Sequence, residues 1–213
     1  MSALILHGYW RSGTSYRTRI ALGLKGLSYQ QKALDLRRGE QHSPDYLKLN
    51  PQGLVPTLET EDGILMQSVA ILEWLEEKYP DPPLLPRVAA DRAVVRAMCG
   101  IIACDIHPIN NLRILKALRH DLGASQDQVN TWIARWISEG FTALEAMVAR
   151  YGKGFAFGDA PTLADCHLVP QVYSAERFNV DLSPFPTIRA AVEKARILQA
   201  FEQADPKYQP DAY

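Results

Sequence analysis

The sequence predicts a two-part fold, a small α/β domain followed by an all-helical one, and three observations carry that prediction. Between residues 4 and 79, short apolar runs alternate with helical stretches in the order β-α-β-α-β-β-α. Next comes Pro80-Asp81-Pro82-Pro83-Leu84-Leu85-Pro86, where four prolines in seven residues make a stiff connector that cannot continue a helix. Beyond it, apolar residues recur at spacings of three and four, the period of a helix with one buried face. The expected domains are residues 1–82 and 88–213.

Leu4 to Tyr9 reads as a buried strand, and Ser15 to Lys25 as a helix closed by Gly26 at its C′ position. A second strand is expected over Tyr29 to Leu36, then a short helix near Asp45 to Leu47. Val55 to Glu59 and Ile64 to Met66 flank Glu61-Asp62-Gly63, where Asp-Gly supplies the positive φ of a hairpin turn. Ser68 is expected to cap a helix running to Tyr79. In the second part, Val129, Trp132, Ile133, Trp136, Ile137, Phe141, Leu144 and Val148 mark the core face of a long helix. Val94, Val95, Met98, Ile101 and Ile102 mark another, with a break expected near Pro108. Thr162-Leu163-Ala164-Asp165 is a capping box with Asp in the reciprocal position.

Composition narrows the class. A formal charge of −1 gives no electrostatic case for nucleic acid or a membrane surface. The opening residues lack the basic start and apolar run of a signal peptide, and no later run is expected to span a bilayer. Cys99, Cys104 and Cys166 are an odd number with no Cys-x-x-Cys pair, which fits reduced thiols in a cytoplasmic protein and argues against a disulfide-exchange role. No metal-ligand cluster is apparent in the sequence.

The most informative stretch runs from Tyr9 to Arg19. It sets Ser12, Thr14 and Ser15 at a strand-to-helix turn, where the first helical amides point outward unpaired and favour an anion. Arg11 precedes these hydroxyls and offers planar, bidentate recognition of a carboxylate. The turn holds no cysteine, so its chemistry would be to polarise something brought to it. Taken alone, Ser12 to Ser15 is equally an N-cap cluster.

The element order, the proline-rich connector and three motifs resemble the soluble glutathione transferases. Asn50-Pro51-Gln52-Gly53 leading to Val55-Pro56 looks like that family's cis-proline loop; Gln67-Ser68-Val69-Ala70-Ile71 looks like its γ-glutamyl site; Thr162 to Asp165 looks like its structural helix cap. The opening Ser12-Gly13-Thr14-Ser15-Tyr16-Arg17-Thr18-Arg19-Ile20-Ala21-Leu22 is similar to the zeta-class signature Ser-Ser-Cys-Ser-Trp-Arg-Val-Arg-Ile-Ala-Leu. Cys104 to Arg113 resembles the matching helical segment of bacterial zeta-class isomerases. Two departures stand out: Gly13 replaces the second serine, and Thr14 replaces the cysteine.

The resemblance implies a thioredoxin-like first domain, an all-helical second one, and glutathione as the cofactor. It implies isomerisation of maleylacetoacetate or maleylpyruvate to the fumaryl isomer, with glutathione returned unchanged, in a cytoplasmic homodimer acting on a small diacid. Ser12, Thr14 and Arg11 are the implied catalytic residues. Glutathione contacts are implied for Ser12, Arg17, Gln41, Val55, Pro56, Gln67, Ser68, Asp105 and His107, and substrate contacts for Arg11, Asn111, Arg113 and Arg177. Several alternatives stay open. His107 before Pro108 also suits a structural role, Arg177 an ion pair with Glu176, and Gln41 a solvated loop. Of Arg17 and Arg19, one is expected to pair structurally within the first domain. Competing readings of the whole chain are a transferase that conjugates or dehalogenates small α-halo acids, and a non-catalytic interaction module.

Overall fold

The computed structural model describes residues 4–213; Met1 to Ala3, where the expected first domain begins, lie outside the described residues. The chain divides into two compact units, Met1–Leu84 together with Ile197–Tyr213, and Leu85–Arg196.

In the first unit, β1 (Leu4–Gly8), α1 (Gly13–Leu24), β2 (Tyr29–Ala33), α2 (Pro44–Leu49), β3 (Thr57–Thr60), β4 (Gly63–Met66) and α3 (Ser68–Lys78) follow the expected order. The sheet runs β2-β1-β3-β4, with β1 and β2 parallel and the β1–β3 and β3–β4 pairs antiparallel. Leu6 and Leu58 face each other across the β1–β3 pair, and both are fully buried with Ile20, Leu22, Ile71, Leu72 and Leu75 of the flanking helices. Central strands therefore carry the apolar face onto which α1 and α3 pack. Gly26, at φ 66°, ends α1 as expected, and the Leu27 amide reaches back to the carbonyl of Leu22.

Several boundaries differ from the sequence reading: β2 ends at Ala33, short of Leu36, and β3 begins at Thr57, past Val55. The first helix starts at Gly13, because Ser12 and not Ser15 is its N-cap. The hairpin turn is Glu61-Asp62, while Gly63, at φ 120°, already pairs with Thr60 as the first residue of β4. Ser68 is the first residue of α3 and not its cap, since Arg17 engages its hydroxyl; Gln67 takes the N-cap position.

The connector is fastened to the first unit by a buried ion pair. Lys25 Nζ lies 2.6 Å from Glu76 Oε2 and also donates to the Pro82 carbonyl at 2.7 Å. Glu76 in turn accepts the Leu84 amide at 2.9 Å. Composition announced a stiff connector; what fixes it is this pair, which has no sequence signature.

The second unit holds α4 (Ala89–Gly100), a π-helical turn (Ile101–Ile106), a single 3-10 turn (Pro108–Asn110), α5 (Leu112–His120), α6 (Gln126–Tyr151), α7 (Leu163–Arg177) and α8 (Pro186–Arg196). Against the sequence expectation, the stretch Ala89–His120 is long and apolar enough to cross a bilayer by length and composition alone. Here it is broken at Pro108 and again at Asn111, and it buries Met98, Ile102, Ile106 and Leu115 in the unit's own core. On α6, Val129, Ile133, Ile137, Phe141, Leu144 and Val148 are buried as read, but Trp132 and Trp136 are only half-buried. They stack edge to face, and the Trp132 indole donates to the Ile109 carbonyl, which explains their place beside the core stripe. The Thr162–Asp165 box forms as expected. Asp165 also accepts the Ala156 amide, and burial pushes its carboxyl up to about 6 against the bonds it accepts.

Residues Ile197–Tyr213, with α9 (Gln199–Ala204), belong to the first unit, so the expected helical domain 88–213 ends instead at Arg196. Helical periodicity does not say against what a helix packs. Here Gly23 of α1 lets Ala200 of α9 approach so closely that an added Cβ would lie 3.2 Å from the alanine methyl.

Candidate active site

The turn between β1 and α1 is built around Ser12. Its backbone is extended, with φ −70° and ψ 123°, and its Oγ accepts the Ser15 amide at 3.3 Å. Ser12 Oγ also lies 2.9 Å from Thr14 Oγ1, which donates to the Val55 carbonyl at 2.9 Å. A threonine hydroxyl has one proton. With that proton on Val55, Ser12 is the donor within the hydroxyl pair. The two hydroxyls are therefore inequivalent: Thr14 is committed to the loop, and Ser12 holds a proton that bond rotation can redirect.

The loop that supplies Val55 is braced from below. The Tyr46 hydroxyl and the Asn50 amide both donate to the Leu54 carbonyl, at 2.6 and 2.7 Å, and both contact the Thr57 hydroxyl. Gly53 adopts φ 62°, and a Cβ there would come within 2.7 Å of His42 Nδ1, so both the turn and its packing require glycine. The Val55-Pro56 peptide is cis. Val55 precedes the β1–β3 ladder, whose register begins at Thr57, so the sheet leaves its amide unused. Tyr46 and Asn50 escaped the sequence reading; the only hint was an Asn ahead of a Pro-Gln-Gly turn.

At the far end of β4, Gln67 has φ 67° and ψ 113°, a strained conformation for a residue with a side chain. It presents the first amides of α3, and its side-chain Nε2 donates to Gln52 Oε1 at 2.6 Å. The buried Arg17 guanidinium donates to Ser68 Oγ at 3.1 Å, so a cation stands behind this helix N-terminus. Gln41 lies in a 3-10 turn, is buried, and leaves its Oε1 without a hydrogen-bond donor. A solvated loop glutamine is thereby excluded. A buried acceptor of this kind needs a donor, from ordered water or from a ligand.

Arg11 is half-buried, with its guanidinium carbon 5.3 Å from the Trp10 ring centroid. Arg19 is the structural arginine of the pair in α1: it donates to the carbonyls of Ala204 and Trp10, and burial lowers it to about 10, still a cation at neutral pH. Tyr9 is pushed up to about 12, by burial first and then by its hydrogen bond with Tyr213.

The second unit places Asp105 at an exposed position of the π-helical turn and His107, half-buried, just after it. Asn111 is the N-cap of α5, its Oδ1 accepting the Ile114 amide, a bond that does not use its NH2 group. Arg113 stands exposed in the first turn of that helix. Arg177 is exposed at the last position of α7, over the Phe178 ring. Glu176, one acid considered as its partner, forms a two-bond fork with Arg196 at 2.7 and 2.8 Å.

Similarity to known proteins agrees with this geometry. The description of the glutathione S-transferase N-terminal domain matches residues 6–83. A maleylpyruvate isomerase from a Ralstonia species is 54% identical over 211 residues, 97% of this chain and 99% of its own. The chain belongs to the zeta-class glutathione transferase family. The holo structure of a bacterial zeta-class maleylpyruvate isomerase has a TM-score of 0.96 at 53% identity, covering 98% of this chain and all of that one. A maleylacetoacetate isomerase from Anaeromyxobacter dehalogenans with bound glutathione has a TM-score of 0.90 at 44% identity, covering 99% and 98%. Within the zeta class, a hydroxyl at position 14 leaves the turn without a thiol of its own; the described cysteines lie at 99, 104 and 166, all outside the first unit.

Proposed function

We propose that this chain catalyses the glutathione-dependent cis–trans isomerisation of a maleyl diketo acid, maleylacetoacetate or maleylpyruvate, to its fumaryl isomer. The observation that carries the reading is the ordered hydroxyl pair at the N-terminus of α1. It offers a redirectable donor, Ser12, beside a loop anchored by Thr14, in a turn without a sulfur. When bound, glutathione supplies a thiolate that adds reversibly to the conjugated double bond and so allows rotation about it.

The residues of the first unit suit the tripeptide piece by piece. The first amides of α3, with Ser68 and the Arg17 cation behind them, suit the γ-glutamyl carboxylate. The Val55 amide, ahead of the cis Pro56, suits the cysteinyl backbone, and the buried Gln41 oxygen suits an N–H of the tripeptide. Ser12 turns its proton to the sulfur and, with the α1 amides, stabilises the thiolate by roughly 2–4 kcal/mol. Arg11 holds a carboxylate of the diacid. For Asn111, Arg113 and Arg177 toward the substrate, and for Asp105 and His107 toward glutathione, the support is the family resemblance alone.

The decisive experiment combines the protein with a catalytic amount of glutathione and either maleyl acid, and follows the fumaryl product. Many turnovers per glutathione are expected. Consumption of glutathione in proportion to product would establish the conjugating alternative instead. Arg11→Ala is expected to raise the KM for the diacid at least about tenfold, the loss of one charge-assisted contact; an unchanged KM would remove Arg11 from substrate binding. The setting proposed is a cytoplasmic homodimer. Its support is the exposed Ile64 and Met66 on one face of β4, with Val69 following on α3, an apolar set suited to a second copy. Sedimentation at micromolar concentration tests it, a monomer being the refuting result.

A further inference from the structure

Arg11 and Ser12 both depend on the Tyr9–Trp10 peptide, whose carbonyl holds Ser12 and whose N–H is held from the other end of the chain. Ser12 is fixed locally: its amide donates to the Tyr9 carbonyl at 3.0 Å and its hydroxyl is engaged by Thr14 and Ser15. The peptide groups on both sides of Trp10, which launch Arg11, are held from the other end of the chain. The Trp10 amide donates to Asp211 Oδ2 at 2.9 Å, and its carbonyl accepts from Arg19 Nη2 at 3.0 Å. Arg19 is itself fixed by the Ala204 carbonyl of α9 at 3.0 Å. The second oxygen of Asp211 accepts from Gln31 of β2 at 3.0 Å, so the carboxylate bridges the Trp10 backbone and the edge strand. Tyr213 packs edge-on against the Trp10 ring with centroids 5.3 Å apart. Its hydroxyl meets that of Tyr9 at 2.6 Å, and Arg37 lies over its ring at 3.7 Å.

We propose that Asp211 is a positioning residue for Arg11: by clamping the Trp10 amide it fixes the backbone from which Arg11 reaches the substrate's carboxylate, while Ser12 keeps its own bonds to the Tyr9 carbonyl, Thr14 and Ser15. The role rests on the reading that Arg11 grips the diacid. It assigns residues Ile197–Tyr213 a part in substrate affinity without any contact with substrate. Without Asp211 the Tyr9–Trp10 peptide would be held at its carbonyl by Ser12 but not at its N–H, and the Arg11 side chain would lose part of its fixed starting direction.

Asp211→Ala is expected to raise the KM for the diacid about tenfold, equivalent to roughly 1.4 kcal/mol, with kcat nearly unchanged. Glutathione affinity and the pKa of the bound thiol are expected to stay within about twofold and about 0.3 unit of wild type, as for a substitution remote from that site. Asp211→Asn is expected to restore the wild-type KM, because its carbonyl oxygen still accepts the Trp10 amide and Gln31 needs only an amide flip to accept from its NH2 group. The role is overturned if Asp211→Ala keeps the wild-type KM, if glutathione affinity falls by the same factor as diacid affinity, or if Asp211→Asn is as impaired as alanine. Wild-type protein that isomerises neither maleyl acid would remove the functional reading beneath it. A wild-type isomerase whose Asp211→Ala variant is kinetically normal would remove the positioning role alone.

Discussion

The order of protons in the Ser12–Thr14 pair makes a prediction that separates two hydroxyls otherwise easy to confuse. Thr14 gives its proton to the Val55 carbonyl, and Ser12 gives its own to Thr14. When a thiolate is present, only Ser12 can turn toward it without breaking a bond to the loop. Ser12→Ala therefore removes a hydrogen bond to a charged group, worth about 1.5–3 kcal/mol, and should raise the pKa of bound glutathione by about one to two units. The same change removes the α1 N-cap and should lower stability by about 1 kcal/mol, a separate effect seen in denaturation. Thr14→Val keeps the branched shape and loses the bond to Val55 together with the acceptor that orients the Ser12 proton. It should weaken glutathione binding about fivefold by loosening the cis-proline loop, and shift the thiol pKa by less than about half a unit.

The assay is the ultraviolet absorbance of the thiolate, titrated against pH on enzyme saturated with glutathione, with kcat measured across the same range. Ser12→Ala should regain activity as pH rises and the thiol ionises unaided, whereas Thr14→Val should show no such recovery. An equal rise in thiol pKa for both variants would refute the proton order. A wild-type thiolate fraction in Ser12→Ala would refute the role of the side chain and leave stabilisation to the α1 amides.

Two further predictions concern stability. Lys25→Met should cost about 3–5 kcal/mol in urea denaturation, because it strands the Glu76 carboxylate, whereas Lys25→Met with Glu76→Leu should cost clearly less than the sum of the single changes. Asp165 is an acid whose folded pKa, about 6, lies above its ordinary 3.8, so its contribution is full below pH 4 and is lost as pH rises through about 6. The stability of wild type relative to Asp165→Asn should therefore fall by about 2 kcal/mol between pH 4 and 7, and a rise would show that its hydrogen bonds outweigh burial.

Much of the fold was legible because it rests on local signals. The positive φ at Gly26, the Thr162–Asp165 box and the buried stripe on α6 are each written within a few residues. The end of the chain was not legible, because α9 is short and its periodicity carries no address; what assigns it is Gly23 meeting Ala200 and Arg19 reaching Ala204, contacts nearly two hundred residues apart in sequence. The site divides in the same way. Ser12, Val55, Gln67 and Ser68 sit in recognisable turns, while the braces beneath them, Tyr46 and Asn50, belong to ordinary-looking helix and loop. Ser68 shows the limit of a local signal. A serine before an apolar helix reads as a cap, but the buried Arg17 takes its hydroxyl, and strained Gln67 occupies the cap position instead.

Threonine at position 14, where the zeta-class signature has cysteine, has a structural consequence of its own. A thiol is a weak donor and would hold the Val55 carbonyl poorly. A threonine hydroxyl makes that bond well, at 2.9 Å, and by spending its proton there it presents a lone pair to Ser12. The resting orientation of the Ser12 proton is thereby defined, toward Thr14 and away from the Ser15 amide whose hydrogen bond Ser12 accepts. Binding of a thiolate then needs one rotation about the Ser12 Cβ–Oγ bond, with the N-cap and the loop anchor left intact. Substituting cysteine at 14 should weaken the anchor without moving Ser12 and so lower glutathione affinity more than it changes the thiol pKa, the same signature expected of Thr14→Val and the opposite of Ser12→Ala.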